Sequence, residues 1–266
     1  MGTQTHRSSP DVLNRRTLQC DHRVLADLLR PGMAVLDIGC GTGAITAGIA
    51  KAVGPEGWVV GVDRDAPLLD MARREHAAIT NLVFEQQDVL ELSYDACFDI
   101  ATAARALQWM ANPVLALERM IAAVKPGGMV VVLDYNHERN AWTPDPPAEF
   151  ARFYRAFLDW RAANGWNNAI ADQLPDLFCR AGLADIRTFD SDEVAGRGSA
   201  AAAICTHLIE GVGRQIVAAG FLGEDQRIDA GERFREYVAS RLDEQTLSMR
   251  TVTGVRRAPD SSATQS

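Results

Sequence analysis

Short apolar runs alternate with segments whose apolar residues recur at helical spacing along most of the chain. Each run has about the length of a buried strand, and most of them end on glycine, aspartate or another polar residue. Strands that alternate with helices in this way predict an α/β fold around a mainly parallel sheet. The predicted strands are 33–38, 58–63, 82–88, 97–103, 129–135, 184–189 and 246–255.

A different pattern occupies residues 136–169, which are rich in aromatic residues and proline. Four aromatic residues there follow one another at intervals of three, four and three positions, which places them in one apolar stripe on a helix. Because this insertion follows the fifth strand, we predict that it forms a lid or pocket wall over the ligand site. A helix that only packs, or a dimer surface, is the alternative that the pattern leaves open. The stripe consists of Phe150, Phe153, Phe157 and Trp160.

The stretch 33–43 combines an apolar strand, alternate glycines and the start of a helix. Gly39, Gly41 and Gly43 allow a tight turn and a close approach of the backbone to a ligand, which is typical of nucleoside binding. Gly39, Gly41 and Ala44 also satisfy the dinucleotide pattern G-x-G-x-x-G/A, so the glycines alone leave the kind of nucleoside open.

Two aspartates near this turn indicate which nucleoside it binds. Asp37, at the end of the first strand, would repel a pyrophosphate but could receive a cationic amino acid group. Asp63 ends the second strand about 20 residues after the last turn glycine, which is the spacing expected of an acid that accepts both ribose hydroxyl groups. A helix N-cap or turn is the alternative role for Asp63, although Asp65 is better placed for the cap.

Residues 35–43, VLDIGCGTG, resemble the first motif of the class I S-adenosylmethionine-dependent methyltransferases. Lys-Pro-Gly-Gly at 125–128 and the strand after it are similar to the turn and fifth strand of the same family. With 59–63 and 84–88, the resemblance spans about residues 30–135. It implies a Rossmann-like, seven-stranded and mostly parallel sheet with helices on both faces, an antiparallel last strand, and S-adenosyl-L-methionine as cofactor.

The resemblance also implies roles for residues at the strand ends. Asp88 would accept from the adenine amino group and the Val89 N–H would meet a ring nitrogen, with ordinary turn chemistry as the alternative for Asp88. Arg16 and His22 are among the residues of the leading helices that could touch the cofactor carboxylate. The predicted cofactor-binding residues are Asp37, Gly39, Cys40, Gly41, Gly43, Asp63, Arg64, Asp88, Val89, Ala104 and Arg105.

The loop after the fourth strand bears on the chemistry. It holds neither N-P-P-Y nor D-P-P-Y, the signatures that resemble enzymes methylating base or amide nitrogens, and no acid ends the strand as in the magnesium-dependent catechol type. We therefore predict methyl transfer to a small molecule without a metal. The pair Gln108-Trp109 resembles methyltransferases that act on small carboxylic acids, and a core position is the alternative for Trp109. The predicted substrate pocket consists of Trp109, Trp142, Phe153 and Phe157.

Methyl transfer from a sulfonium requires mainly that the nucleophile is held close to the methyl carbon, so no particular catalytic side chain is obligatory. If the acceptor must lose a proton, His137, just after the fifth strand, is the best-placed general base, with Tyr135 and His207 behind it. A structural role is the alternative for a lone loop histidine. His137 and Tyr135 are the predicted catalytic residues.

Composition restricts the location and the partners. The chain has 47% apolar and 23% charged residues and no apolar run near the roughly 18 residues of a membrane helix, so we expect a soluble protein. The polar start lacks the apolar core of a secretory signal, and five scattered cysteines without a C-x-x-C pair fit reduced thiols rather than a zinc site, which predicts a cytoplasmic protein. A net charge of −8 argues against a nucleic acid partner. We expect a small-molecule substrate, no nucleic acid, no membrane and no metal, with a homodimer as a further option.

The main functional prediction is therefore an S-adenosylmethionine-dependent methyltransferase for a small molecule. A nicotinamide-dependent oxidoreductase is one alternative, which Asp37 and the Lys-Pro-Gly-Gly strand disfavour. A noncatalytic module that keeps the nucleoside pocket is the other. The predicted divisions are an N-terminal helical cap at 1–32, a cofactor-binding core at 33–135, the aromatic lid at 136–169, the C-terminal part of the fold with a second helical insertion at 170–257, and a disordered tail at 258–266.

Overall fold

The computed structural model of the chain describes residues 9–199, 202 and 204–258. All but the first residue of the predicted tail therefore lie outside the described ranges. The strands are β1 (Ala34–Ile38), β2 (Trp58–Asp63), β3 (Leu82–Gln86), β4 (Phe98–Ala104), β5 (Val124–Tyr135), β6 (Ala141–Thr143), β7 (Ala184–Asp190), β8 (Glu193–Gly196), β9 (Glu244–Leu247) and β10 (Met249–Val255).

Helices follow most strands of the first half and occupy much of the second. Within the described ranges, no helix is both long and apolar enough to cross a membrane. The helices are α1 (Pro10–Leu13), α2 (Leu18–Asp21), α3 (Arg23–Leu28), α4 (Ala44–Val53), α5 (Ala66–Glu75), α6 (Pro113–Ala123), α7 (Ala148–Ala163), α8 (Ile170–Arg180), α9 (Ile204–Ala218) and α10 (Glu224–Ser240).

Seven strands form the main sheet, in the order β3-β2-β1-β4-β5-β10-β7. Neighbouring strands from β3 to β5 are parallel, whereas β10 runs antiparallel to both β5 and β7. This confirms the predicted Rossmann-like sheet with an antiparallel last strand. The chain runs outward from β1 to β3 and then returns to β4 on the other side of β1. The strand order therefore reverses between β1 and β4, and a crevice opens at their carboxyl ends, where open α/β sheets bind ligands.

The two faces of the main sheet carry separate apolar cores, because side chains alternate along each strand. Val35 and Val59 pack with Ile49 of α4 on one face. Leu36 packs with Leu117 of α6 and other residues on the opposite face. Every residue of β1 is buried, as expected for a parallel strand covered on both sides, and the main sheet is thus a rigid support for the loops at its carboxyl edge.

The helices α7, α9 and α10 form a third layer, which we call the helical layer. The aromatic stripe predicted from the sequence lies in its core, and all four of its side chains are fully buried. Leu133 and Tyr135, at the carboxyl end of β5, belong to the same apolar cluster. The helical layer therefore covers the ligand-binding edge of the main sheet.

A small second sheet, with the strand order β6-β9-β8, is absent from the sequence prediction. The predicted single strand 246–255 is wrong in this respect, since it divides into β9 and β10, which belong to different sheets. The division has a local cause: Asn140 Oδ1 accepts from the Ser248 N–H, and Asp192 Oδ1 accepts from the Met249 N–H, both at 2.7 Å. These side chains replace strand partners at the point where the chain passes from one sheet to the other.

Candidate active site

The glycine turn after β1 has the conformation that its sequence predicts. Gly39 has a φ of +70° and Gly43 a φ of +75°, which are values that other residues rarely adopt. A Cβ atom on Gly39 would lie 2.7 Å from the Cβ of Ala106, and one on Gly43 would lie 2.7 Å from Cε1 of Phe84. The Gly39 and Cys40 N–H groups both donate to the Val62 carbonyl, at 2.8 and 3.1 Å, so the turn is fixed to the end of β2.

Asp63 connects the glycine turn to the start of α5. Its Oδ2 accepts from the Gly41 N–H and its Oδ1 from the Asp65 N–H, each at 2.9 Å. The cap of α5 is Asp65, whose side chain accepts from the Leu68 N–H, so the N-cap alternative for Asp63 does not hold. The turn alternative does hold, because Asp63 accepts from the N–H two residues further on. A carboxylate has about four acceptor positions, and two of those on Asp63 therefore remain for ligand hydroxyl groups.

A cleft of about 320 Å³, which we call the turn cleft, runs along the carboxyl ends of β1 to β4. Asp63 and Asp88 lie on its wall together with the apolar side chains of Leu68 and Leu90. These groups fit an adenosine, because the carboxylates can accept from ribose hydroxyl and amino groups while the apolar side chains cover the ring. The predicted cofactor residues that line the turn cleft are Gly39, Gly41, Asp63, Arg64, Asp88, Val89, Ala104 and Arg105.

Asp37, Cys40 and Gly43 lie behind the wall of the turn cleft rather than on it. Asp37 is buried and its Oδ2 accepts from the Thr46 hydroxyl at 2.6 Å. Burial raises the pKa of Asp37 to about 7, and the nearby charge of Asp63 contributes to this increase. Burial, followed by Asp37 and Asp63, also raises the pKa of the Cys40 thiol, so this cysteine is an inert part of the turn.

A second cavity of about 140 Å³, which we call the aromatic pocket, lies between the main sheet and the helical layer. Arg16, Arg105 and Trp109 line both this pocket and the turn cleft. A molecule in the aromatic pocket would therefore lie next to the ligand of the turn cleft. Residues that contribute to the rest of its wall include Tyr135, His137, Tyr154, Phe157, Cys205 and His207.

The predicted substrate residues divide into two groups. Trp109 and Phe157 line the aromatic pocket, whereas Trp142 and Phe153 do not. Trp142 packs edge-on against Phe150 and donates its Nε1–H to Gln245 at 2.8 Å. Phe153 is fully buried in the helical layer. The stripe of α7 faces mainly α9 and α10, which is why only Phe157 reaches the cavity from it.

The two predicted catalytic residues lie together on the wall of the aromatic pocket. The rings of Tyr135 and His137 stack with centroids 5.0 Å apart, and His137 Nε2 is hydrogen-bonded to Gln108 Oε1 at 2.5 Å. The Tyr135 hydroxyl accepts from Arg105 Nε at 3.1 Å. Burial raises the pKa of Tyr135, so the phenol stays protonated at neutral pH and is suited to donate a hydrogen bond rather than to take a proton.

The charged groups that surround Arg105 were not predicted from the sequence. This side chain is 2% exposed and pairs with Glu193 of β8, and its Nη2 lies 3.7 Å from Asp21 Oδ1 in α2. Glu193 ends the acidic stretch Asp190-Ser-Asp-Glu193, 88 positions from Arg105, and no sequence signal indicated the pair. The His22 ring, a candidate for the cofactor carboxylate, instead forms a buried hydrogen bond with the Thr102 hydroxyl at 2.9 Å.

Arg16 is the remaining cation at the boundary between the two cavities. Among the residues that the structure describes, none forms a hydrogen bond or an ion pair with its guanidinium. Burial, followed by repulsion from Arg105, lowers the pKa of Arg16. A guanidinium in this position is suited to an anionic group of a ligand.

Comparison with known proteins identifies the family to which the chain is similar. A family model described as "Methyltransferase domain" matches residues 29–169. The demethylmenaquinone methyltransferases of Staphylococcus aureus strains JH9 and Newman are each 38% identical to the chain over 178 residues, which cover 62% of the chain and 74% of the relative.

Solved structures share the fold at low sequence identity. A putative methyltransferase from Bacillus halodurans superposes with a TM-score of 0.58 at 15% identity, covering 89% of this chain and 98% of that one. The phosphoethanolamine N-methyltransferase 2 of Haemonchus contortus, solved with S-adenosylhomocysteine, gives 0.55 at 16% identity, covering 86% and 50%. The [4+2]-cyclase SpnF gives 0.56 at 18% identity, covering 92% and 85%. Since one of these folds carries a cyclase, the fold alone does not define the reaction.

Proposed function

The chain belongs to the methyltransferase domain family and is an S-adenosylmethionine-dependent methyltransferase, and from this premise we propose that it methylates a planar small molecule held in the aromatic pocket. One observation carries the proposal: the turn cleft and the aromatic pocket share a wall formed by Arg16, Arg105 and Trp109. A donor in the first cavity and an acceptor in the second would meet at that wall, which is the proximity that methyl transfer requires.

We propose the following positions for the cofactor. Asp63 would accept from the ribose hydroxyl groups while it keeps its hydrogen bonds to the turn, and Asp88 and Val89 would bind the adenine. Arg16 would face either the amino acid end of the cofactor or an anionic group of the acceptor. When bound, S-adenosylmethionine supplies an electrophilic methyl group on a positively charged sulfur.

The walls of the aromatic pocket support an acceptor with a flat ring. Trp109 and Phe157 meet at 62° with centroids 6.5 Å apart, and the stacked pair Tyr135 and His137 presents a further aromatic surface. Such walls favour stacked and edge-on contacts with a planar ligand. The demethylmenaquinone named for the Staphylococcus aureus relatives is therefore one acceptor to test, together with smaller hydroxylated aromatic compounds.

We propose that His137 removes the proton that the acceptor must lose. Its position on the wall of the aromatic pocket supports this role, because a general base has to reach the acceptor rather than the donor. Tyr135 and Arg105 would hydrogen-bond the oxygen of the acceptor and stabilise the charge that develops on it.

Calorimetry tests the cofactor part of the proposal. We expect S-adenosylmethionine and S-adenosylhomocysteine to bind with one site per chain and NAD not to bind. The reverse result, binding of NAD alone, would contradict the assignment.

Methyl transfer to a panel of acceptors tests the pocket. With any acceptor that is turned over, Phe157→Leu should change kcat/KM by roughly tenfold or more, because this ring forms part of the wall. Phe153→Leu, on the same helix but outside the pocket, is the matched control and should change mainly stability. Equal effects of the two substitutions on kcat/KM would show that the acceptor binds elsewhere.

We also propose that the protein is located in the cytoplasm. We further propose that it forms a homodimer. Cell fractionation checks the location, and light scattering of the purified chain checks the oligomeric state.

A further inference from the structure

We infer that Gln108 is a positioning residue that holds His137 in the tautomer protonated at Nε2, so that Nδ1 is the ring nitrogen that accepts the proton of the acceptor. This inference rests on the proposed role of His137 as a base. It assigns a task to a residue that the sequence singled out only as part of the pair Gln108-Trp109.

The amide group of Gln108 has only one orientation that satisfies its neighbours. Its Nε2 lies 3.2 Å from the carbonyl oxygen of Arg105, and its Oε1 lies 2.5 Å from His137 Nε2. A carbonyl oxygen can only accept, so the nitrogen of the amide must face Arg105. The opposite orientation would place two oxygens against each other. The amide oxygen therefore faces the imidazole, and His137 Nε2 must carry the proton that bridges them.

Gln108 is itself fixed at both ends of its backbone. Its N–H donates to Asp134 Oδ2 at 3.1 Å, and its carbonyl accepts from Arg161 Nη2 at 2.9 Å. The side chain is nearly fully buried, so water does not compete for the amide. The residue can therefore impose a tautomer on His137 rather than adapt to it.

The same contact also assists proton uptake. When Nδ1 takes a proton, the Nε2–H of the imidazolium becomes a charged donor, and its hydrogen bond to the Gln108 oxygen becomes stronger. The amide thus stabilises the protonated ring without supplying a full negative charge, and the ring can still release the proton afterwards.

Other titratable groups near His137 must be considered in any pH measurement. The guanidiniums of Arg16 and Arg105 lie on the same pocket wall as the ring, and Glu193 pairs with Arg105. Asp134 and Arg161 are further charged groups nearby, and both are hydrogen-bonded to the backbone of Gln108. His207 lies on the same wall, so histidine signals must be assigned individually. The titratable side chains that line the pocket with His137 are Arg16, Arg105, Tyr135, Tyr154, Cys205 and His207.

Nitrogen NMR of the histidine side chains tests the inference without any acceptor. Long-range proton–nitrogen spectra of the full chain with S-adenosylhomocysteine distinguish the two tautomers, and His137→Gln identifies the signals of His137 among the five histidines. We expect a protonated Nε2 and an unprotonated Nδ1 at a pH above the midpoint of the ring. A proton on Nδ1 instead would overturn the inference.

Gln108→Glu provides the second measurement. A carboxylate beside Nε2 should raise the pH midpoint of His137 by about one unit or more, because an opposite charge favours the protonated ring. Gln245→Glu is the matched control: this buried glutamine also accepts from an aromatic N–H, that of Trp142, and its substitution should leave His137 unchanged. An unchanged midpoint in folded Gln108→Glu would refute the positioning role.

The inference about Gln108 and the proposed role of His137 as a base can fail independently of each other. If the tautomer is as inferred but His137→Gln still transfers methyl groups at the full rate, then the base assignment is wrong and the positioning of the ring stands. If the tautomer is wrong while His137→Gln is inactive, then the base assignment stands and the positioning fails. The tautomer of the unmodified protein is decisive even if Gln108→Glu does not fold.

Discussion

At the residue scale, Asp63 combines a turn contact with a position on the wall of the turn cleft, which the sequence presented as alternative roles. Its carboxylate accepts two backbone N–H groups of the turn and α5, and it also lies on the wall of the turn cleft. Asp63→Ala would remove both tasks at once, whereas Asp63→Asn keeps the volume and one acceptor oxygen. We expect Asp63→Asn to weaken S-adenosylhomocysteine binding by about 10- to 100-fold, which is roughly 1.4–2.8 kcal/mol.

Calorimetry checks this prediction, with Asp70→Asn on the exposed face of α5 as the control. Asp70 is an acid close in sequence that points away from the turn cleft, so its substitution should leave the affinity unchanged. Unaltered binding by Asp63→Asn would mean that the ribose is held by other groups.

Asp37 gives a prediction about pH. Burial raises its pKa to about 7, so the free protein keeps this carboxyl group protonated in mildly acidic solution. A cationic group of the ligand would favour the ionised form and release the proton on binding. The affinity for S-adenosylhomocysteine should therefore increase as the pH rises towards about 7 and become constant above it. Titration calorimetry in buffers of different ionisation enthalpy measures the released proton.

Asp37→Asn tests whether Asp37 is the group that releases the proton. The substitution should abolish the pH dependence below 7, and above 7 it should lower the affinity, because the negative charge behind the cleft wall that attracts the cationic group is lost. Because the pKa of Asp37 is higher in the folded protein than in the unfolded chain, the carboxyl group ionises first in the unfolded chain, and the free protein therefore loses stability as the pH rises from about 4 to 7. Asp37→Asn should remove this loss of stability. A proton release that persists in the variant would assign it to another group.

The sequence carried much of the information on the turn cleft and little on the aromatic pocket. Asp63 and Asp88 could be placed because a strand end positions a side chain regardless of distant parts of the chain. The pair between Arg105 and Glu193 spans 88 positions, and nothing in the local pattern connects them. The sequence singled out Gln108 but did not predict its contacts. Its side chain contacts a backbone carbonyl and a histidine ring, which only the fold brings together.

At the element scale, α7 is both core and pocket wall. Phe150 stacks on Phe234 of α10 with centroids 4.0 Å apart and lines neither cavity. Phe150→Ala should therefore lower the free energy of unfolding by about 3–5 kcal/mol, as expected for truncation of a buried ring. S-adenosylhomocysteine affinity should change by less than about twofold.

Urea denaturation and calorimetry check the two halves of this expectation. Phe221→Ala is the control, because that ring lies in the loop after α9 and is 38% exposed. Its removal should cost less than about 0.5–1 kcal/mol. A strong loss of cofactor affinity in Phe150→Ala with normal stability would identify α7 as a mobile lid instead.

The small sheet illustrates what periodicity cannot predict. Its strand β6 has only three residues, too few for an alternation of polar and apolar positions to emerge. Trp142 of β6 pairs with Gln245 of β9, about a hundred positions away. The long helices and the main-sheet strands were predictable because each carries its own repeated apolar pattern, which the strands of the small sheet lack.

At the scale of the whole molecule, Arg105 joins three regions of the chain. Its guanidinium pairs with Glu193 of the small sheet and lies near Asp21 of the N-terminal helices, while its backbone follows β4. Glu193→Gln should lower the free energy of unfolding by about 1–3 kcal/mol, because a buried guanidinium loses its nearest carboxylate while Asp21 remains.

Thermal and urea denaturation measure this effect, and Glu210→Gln is the matched control. Glu210 pairs with Arg235 on the surface, where both side chains are about half exposed, so its loss should cost less than about 1 kcal/mol. Equal effects of the two substitutions would show that the Arg105 pair does not connect the regions energetically.

The position of β10 has a consequence for synthesis of the protein. This strand lies between β5 and β7, yet it is the last strand along the part of the chain that the structure describes. Until the ribosome has released residues 249–255, the nascent chain exposes one edge of β5 as unpaired backbone. The strands β1 to β5 leave the ribosome before β10, so the parallel half of the sheet can assemble first, with one edge of β5 still open to pairing with another strand.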